Sequence, residues 1–408
     1  MSGETTQGSM RERAHFFFLN IGHFLDHLFM LVFATVAALV LAREWGMSYG
    51  ELIPYATPGF VAFGAFALPA GWLADKWSRD GMMAVFFTGT GIASIVTSFA
   101  ATPLQLGAGL FAIGIFAAIY HPVGISLVVE NRARTGMAIA VNGVWGNLGV
   151  ASAALLTGAM IDMGNWRSAF VLPGLASIAV GIAYAWMFVR TPRVARKAAA
   201  SSSGGAVYSP ALIARIFAIV LLTTAIGGIV FQSTTFSLPK VLDERLSALD
   251  VSATLVGWYA FLVFAIASLV QVVVGFLVDR YPVRFVFAGV AALQAAFFAL
   301  MPGATGWTAL IVATGFMLGA FGQIPINDVL VGRIAKSEWR STMFACRYII
   351  SFAGVAAAIP LIAWVHGAYG FDRLFMLLTA AAMVILAAVL LLPRAIPVRA
   401  AAQPQAAE

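Results

Sequence analysis

Of the chain's 408 residues 61% are apolar and only 10% are charged, and the mean hydropathy is +0.93. An ordinary soluble domain carries about 25% charged residues, so a water-soluble globule is excluded. Outer-membrane barrels are excluded too, because their strands alternate polar and apolar residues whereas the apolar runs here are continuous. The formal net charge of +7 does not point to nucleic acid, since the basic residues are scattered through short loops rather than gathered on one element. The single cysteine, Cys346, rules out an internal disulfide.

In chain order, apolar runs occupy residues 16–42, 50–74, 82–101, 103–129, 135–161 and 168–189, and then 212–239, 252–278, 284–301, 305–331, 340–365 and 373–393. A bilayer core of about 30 Å takes about 20 residues of helix, and a span must satisfy its own backbone hydrogen bonds. The expectation is therefore an all-α integral membrane protein of twelve transmembrane helices. No cleavable signal is expected, because the first run is too long and carries ionisable residues. With the N-terminus inside, eighteen of the 24 Lys and Arg residues fall in the seven cytoplasmic segments, five fall in external loops, and Arg347 lies within a span. Basic residues stay inside, so both termini are expected in the cytoplasm and the chain in the cytoplasmic (inner) membrane, in contact with lipid.

Between the sixth and seventh runs, RTPRVARKAAASSSGGAVYSP is basic and then rich in Ala, Ser and Gly. It reads as a cytoplasmic linker and divides the chain into an N-terminal six-helix bundle (1–189), the linker (190–211) and a C-terminal bundle (212–408). The loop after the second run, GWLADKWSRD at 71–80, returns as GFLVDRYPVR at 275–284, a shift of 204 residues. Pro122 and Pro325 keep nearly the same spacing. An internal six-helix repeat is the economical reading.

These two loops resemble the most specific motif of the major facilitator superfamily, G-x-L-x-D-(R/K)-x-G-(R/K)-(R/K). Gly71, Leu73, Asp75, Lys76 and Arg79 match in the first copy, with Ser78 and Asp80 departing; Gly275, Leu277, Asp279, Arg280 and Arg284 match in the second, with Pro282 at the glycine position. NWRSAF at 165–170 is similar to the superfamily's W-R-x-x-F. The resemblance covers essentially the whole chain and implies two pseudo-symmetric six-helix bundles, no enzymatic activity, no cofactor and a monomer. The motif residues Gly71, Asp75, Lys76, Arg79, Gly275, Asp279, Arg280 and Arg284 are the expected gate: glycine lets helices approach closely, and Asp beside Arg makes a charge-assisted clasp.

Inside the first run, Asn20, His23, Asp26 and His27 recur at spacings of three and four, so one helical face is polar. An acid near mid-membrane costs about 3 kcal/mol on insertion scales, so Asp26 is expected to face a water-accessible chamber between the bundles, not lipid. A carboxyl and imidazoles together can share and pass protons. His121, beside the helix-breaking Pro122 in YHPVG, adds a fourth titratable group, and His23, Asp26, His27 and His121 are the expected proton-coupling residues. Candidate substrate contacts are Asn20, Asn142, Trp145, Gln232, Thr235, Gln323, Asn327 and Arg347. The polar cluster at 232–235 serves equally as helix-to-helix glue, and Arg347 either holds a carboxylate or phosphonate, pairs with Asp328, or snorkels to the cytoplasm. Gly143, Gly146 and Gly149 in the fifth run are read as helix-packing glycines.

GHFLDH at 22–27, YHPVG at 120–124 and NGVWGNLG at 142–149 are most similar, within the superfamily, to fosmidomycin-resistance exporters, which implies proton-driven export of small anionic compounds. Ala153 and Ala154 stand where antiporters often carry a Gly-Pro pair, and Leu110 where they often carry Arg, which sets the chain apart from generic drug antiporters. The expected partners are protons and a small-molecule substrate. Two alternatives stay open: import of an organic anion, and carriage of a divalent metal by the His and Asp residues. No nucleotide-binding loop is present, and one proton crossing 100 mV releases about 2.3 kcal/mol, enough for roughly a fortyfold gradient of a neutral solute. The H-x-x-x-H of HFLDH also matches a metalloenzyme ligand pair, but five histidines in all are too few for a histidine-rich oxygenase site.

Overall fold

The computed structural model describes residues 2–130, 135–189, 209–334 and 340–394. Among these residues there is no strand, and eleven helices are long and apolar enough to cross a membrane. They are α1 (Met10–Glu44), α2 (Tyr49–Lys76), α3 (Arg79–Thr97), α4 (Pro103–Val129), α5 (Met137–Asp162), α6 (Ser168–Val189), α7 (Pro210–Arg245), α8 (Ala253–Arg280), α9 (Val283–Leu300), α10 (Gly306–Ile334) and α11 (Cys346–Leu390). At 45 residues α11 would reach about 68 Å if straight, more than twice a bilayer core. It turns back at Gly370 (φ 74°, ψ −179°), a backbone state open mainly to glycine, and its two arms supply the eleventh and twelfth spans. The linker lies outside the described residues as far as 208; α7 then begins at Pro210, with the Ser209 hydroxyl accepting from Leu212 N.

The two halves repeat one packing device. A Cβ on Gly149 of α5 would fall 2.1 Å from the Phe24 carbonyl of α1, and one on Gly354 of α11 would fall 2.7 Å from the Ala225 carbonyl of α7. These glycines are 205 residues apart, and each lets backbones touch. Within the first half, Gly59 of α2 and Gly114 of α4 meet backbone to backbone, and a Cβ on Gly59 would fall 2.8 Å from the Leu110 carbonyl. The halves join at the end remote from the termini. There Gly158 of α5 lies against Ala253 of α8, Gly257 of α8 against Ala154, and Gly50 of α2 against Ala363 and Gly367 of α11. The Asp162 carboxylate accepts from the Ala253 and Thr254 N–H groups at 3.2 and 2.7 Å, capping α8 with a side chain from the other half. At the same end the Trp166 indole donates to Glu44 at 2.8 Å and Arg167 lies over the Trp166 ring at 4.3 Å, so the W-R motif ties α6 to α1.

The signature loops differ between the copies. In the first, Arg79 donates to Asp75 at 2.8 Å and approaches Glu130 at 3.8 Å, linking the α2–α3 turn to the end of α4. A Cβ on Gly71 would sit 3.3 Å from Pro122, a true close approach of α2 to α4, while Lys76 is exposed. Asp80, which departs from the motif, accepts from Tyr184 at 2.6 Å and lies 3.0 Å from His15 Nε2. In the second copy no equivalent clasp forms among the described residues: Arg280 stacks over Phe276 at 3.5 Å, Arg284 donates to the Leu392 carbonyl at 3.1 Å, and no described residue lies within 4 Å of a Cβ on Gly275. Asp279 is exposed. Among the described residues, Gly275 is not a close-packing glycine.

Candidate functional site

Helical periodicity in α1 places Asn20, His23, Asp26 and His27 on one face, and the fold turns that face to α4 and α5. Pro122 lacks an N–H and cannot continue an ordinary helix; the chain answers with a five-residue π turn over Tyr120–Gly124. Such turns widen a helix locally and occur at functional sites. Here the turn brings both Tyr120 and His121 against α1. Tyr120 stacks on His23 (4.9 Å, 20°), and His121 meets His23 and His27 edge-on at 5.5 and 5.6 Å.

Asp26 is 0% exposed, and its Oδ2 lies 3.3 Å from His121 Nε2, whose side chain is 25% exposed. The carboxyl is thus enclosed by protein. The expectation is a water-accessible chamber between the bundles; in this arrangement the carboxyl itself is covered, and His121 beside it is the partly exposed member of the pair. A cavity of about 260 Å³ opens elsewhere between α1, α5 and α6 and is lined by apolar residues and Thr157.

The hydrogen bonds fix the imidazole roles. His23 Nδ1 lies 2.8 Å from the Asn142 carbonyl, which can only accept, so Nδ1 carries the proton. In the neutral ring Nε2 is then the acceptor, and His27 Nε2–H donates to it at 3.2 Å. Asn142 also donates to Asn20 Oδ1 at 2.9 Å, and the Tyr120 hydroxyl donates to the Leu19 carbonyl at 2.8 Å. Each partner holds the next, so the imidazoles cannot swing freely. Gly146 makes the room: a Cβ there would fall 2.6 Å from His23 Nε2, whereas Gly143 has nothing within 4 Å among the described residues and packs against none of them. One ligand atom from each of His23, His27 and His121 lies within 4.8 Å of the others, a spacing three ligands of a divalent metal could adopt.

The other expected contacts fall apart from this cluster. Trp145 packs edge-on against Phe17 at 5.7 Å. Gln323 donates to the Thr223 carbonyl at 3.0 Å and Asn327 accepts from the Thr223 hydroxyl at 3.0 Å, so both bind α10 to α7. The Thr235 hydroxyl donates to Phe231 of its own helix, and Gln232 is buried with Nε2 unpartnered among the described residues. Arg347, 7% exposed, pairs with Asp328 at 2.7 Å. Sequence reasoning passed over Tyr120, although its place in YHPVG beside His121 was a usable signal. It also passed over Glu130, Asp162 and the His15–Asp80–Tyr184 group, whose partners lie 51 to 169 positions away and leave no local pattern.

Residues 19–248 and 241–407 each match the sequence family described as the Major Facilitator Superfamily. Among individual proteins, the chain is 28% identical over 167 residues to a probable sulfoacetate transporter of Cupriavidus necator, covering 39% of this chain and 37% of that one. It is 27% identical to a gallate transporter of Pseudomonas putida, over 41% of this chain and 38% of the other. To a 4-hydroxybenzoate transporter of Pseudomonas aeruginosa it is 24% identical, over 42% and 38%. The chain thus spans less than two-fifths of the length of these relatives. Two solved structures share the fold: a bacterial homolog of the human lysosomal transporter Spinster, inward-facing and unoccupied (TM-score 0.68, 15% identity, 94% and 95% coverage), and a POT family transporter with 5-aminolevulinic acid (TM-score 0.70, 14% identity, 92% and 95%).

Proposed function

Because the chain belongs to the major facilitator superfamily, a family of transport proteins and not enzymes, we propose that it is a proton-coupled carrier of small organic anions. In this reading it works by alternating access as a monomer in the cytoplasmic membrane, with both termini inside. The bundles of residues 1–189 and 212–408 rock about a central site, and the Asp75–Arg79–Glu130 contact braces the cytoplasmic ends of α2, α3 and α4 so that the first bundle moves as a unit at its gate. The anion cargo is supported by the relatives, whose named substrates include sulfoacetate, gallate and 4-hydroxybenzoate.

The observation that carries the coupling is the enclosed Asp26–His121 contact at 3.3 Å. A carboxyl and an imidazole sharing one proton are neutral together, whether as an ion pair or as two neutral groups. A second proton leaves a net positive charge in a dry interior, which is costly unless an anion compensates it. Proton and anion therefore travel together, with His23 and His27, whose rings pack against His121, as the neighbouring titratable groups. Proton-for-anion exchange, the export mode implied by the fosmidomycin-resistance likeness, is the opposite stoichiometric sense.

The test is accumulation of sulfoacetate and gallate in proteoliposomes under pH gradients of either sign. Accumulation on the alkaline side supports co-movement, and accumulation on the acidic side establishes exchange instead. Asp26→Asn is expected to abolish uphill movement while leaving the protein folded; undiminished uphill transport by that variant overturns the proposal. The imidazole spacing favours a second reading, a divalent-metal cargo. Carriage of Zn²⁺, with no response to the organic anions, would establish it.

A further inference from the structure

Arg347 sits on the first arm of α11, buried, with its Nη1 2.7 Å from Asp328 Oδ1. Its planar guanidinium offers five N–H donors, yet Nε is buried with no hydrogen-bond partner among the described residues. Asp328 has a side chain 39% exposed, so the acid that neutralises the arginine is the movable member of the pair. Beside it lies an aromatic surface. The Arg347 guanidinium carbon is 5.2 Å from the centre of the Tyr348 ring, which is 43% exposed, and Tyr348 stacks on Phe352 one turn on (6.3 Å, 24°). Phe352 crosses to the other half, meeting Phe63 of α2 at 5.3 Å and His121 at 6.3 Å.

We propose that Arg347, Tyr348 and Phe352 form the binding site for an aromatic carboxylate, whose carboxylate displaces Asp328 from Arg347 while its ring lies on the Tyr348–Phe352 surface. This rests on, and narrows, the reading of the chain as an organic-anion carrier. A buried arginine left without an anion is costly, so one carboxylate must replace another, and Asp328 holds the site neutral between cargoes. Nε lies on the same edge of the guanidinium as Nη2, and that edge supplies the two donors of a bidentate carboxylate contact once Asp328 leaves Nη1. The ring surface continues through Phe352 to His121, so the cargo bridges the two halves and lies next to the Asp26 cluster.

Calorimetry on the full chain in nanodiscs, with benzoate, benzamide and cyclohexanecarboxylate, tests the assignment. Benzoate is expected to bind at least tenfold tighter than the other two. Arg347→Gln should weaken benzoate at least tenfold and Phe352→Leu should erase its advantage over cyclohexanecarboxylate, with thermal unfolding confirming that both variants fold. Asp328→Asn removes the competing carboxylate and should tighten benzoate severalfold. Equal binding of benzoate and benzamide, or undiminished benzoate binding by folded Arg347→Gln, overturns the site. If Arg347-dependent benzoate binding is found but no solute moves against a gradient, the site stands and the carrier reading falls. Uphill gallate transport that is equal in parent and Arg347→Gln leaves the carrier and removes the site.

Discussion

Replacing Gly146 by alanine tests the geometry around His23 most sharply. The added methyl would lie 2.6, 2.7 and 2.8 Å from Nε2, Cε1 and Cδ2 of His23, where ordinary contact begins at 3.4 Å. Relief requires a shift of about 0.8 Å, within the range of adjustments that overpacked cores make at a cost of about 1–3 kcal/mol. The ring has little freedom, because Nδ1 is held 2.8 Å from the Asn142 carbonyl and one face is covered by Tyr120. The 3.2 Å contact with His27 is the first to break, at about 1 kcal/mol for a hydrogen bond of this kind. Alanine returns up to about 1 kcal/mol of helix propensity. The net expectation for Gly146→Ala is a loss of about 1–3 kcal/mol together with impaired proton-coupled transport. Gly143→Ala, one turn away with nothing within 4 Å among the described residues, should instead gain up to about 1 kcal/mol by propensity alone. Denaturant unfolding in detergent, paired with transport in liposomes, compares them. Equal stability and equal transport for the two variants would refute the placement of His23 against α5.

Asp162→Ala should cost about 1–2 kcal/mol, the value of a helix N-cap, and should raise labelling of cysteines introduced at the α5–α8 contact, since its carboxylate joins the halves there. Unchanged labelling would show that this cap does not hold the halves together. Asp75→Asn should move thermal stability by less than about 1 kcal/mol, because the pair with Arg79 is exposed, while increasing accessibility at the loop end of α4. A large stability loss with no change in accessibility would contradict the clasp.

Much of this protein is written locally in its sequence. Continuous apolar runs force helices, because hydrocarbon offers the backbone no other partner. The twelve spans, the duplicated signature loops and the polar face of α1 follow from composition, repetition and a period of 3.6 residues. Asn20, His23, Asp26 and His27 share a face by that periodicity alone. What they meet is decided by the fold, since His121 and Asn142 are brought to α1 from 95 and 119 positions away. The same holds for the fate of the other polar residues. Arg347 has Asp328 to neutralise it and Gln323 and Asn327 are taken by Thr223, because a polar group buried away from water binds whatever the packing brings within reach. The glycines show the division most plainly. Gly143 and Gly146 are equivalent in the sequence pattern, yet only Gly146 faces a neighbouring ring, because spacing sets a residue's direction around its own helix while only the packing of helices sets what stands there.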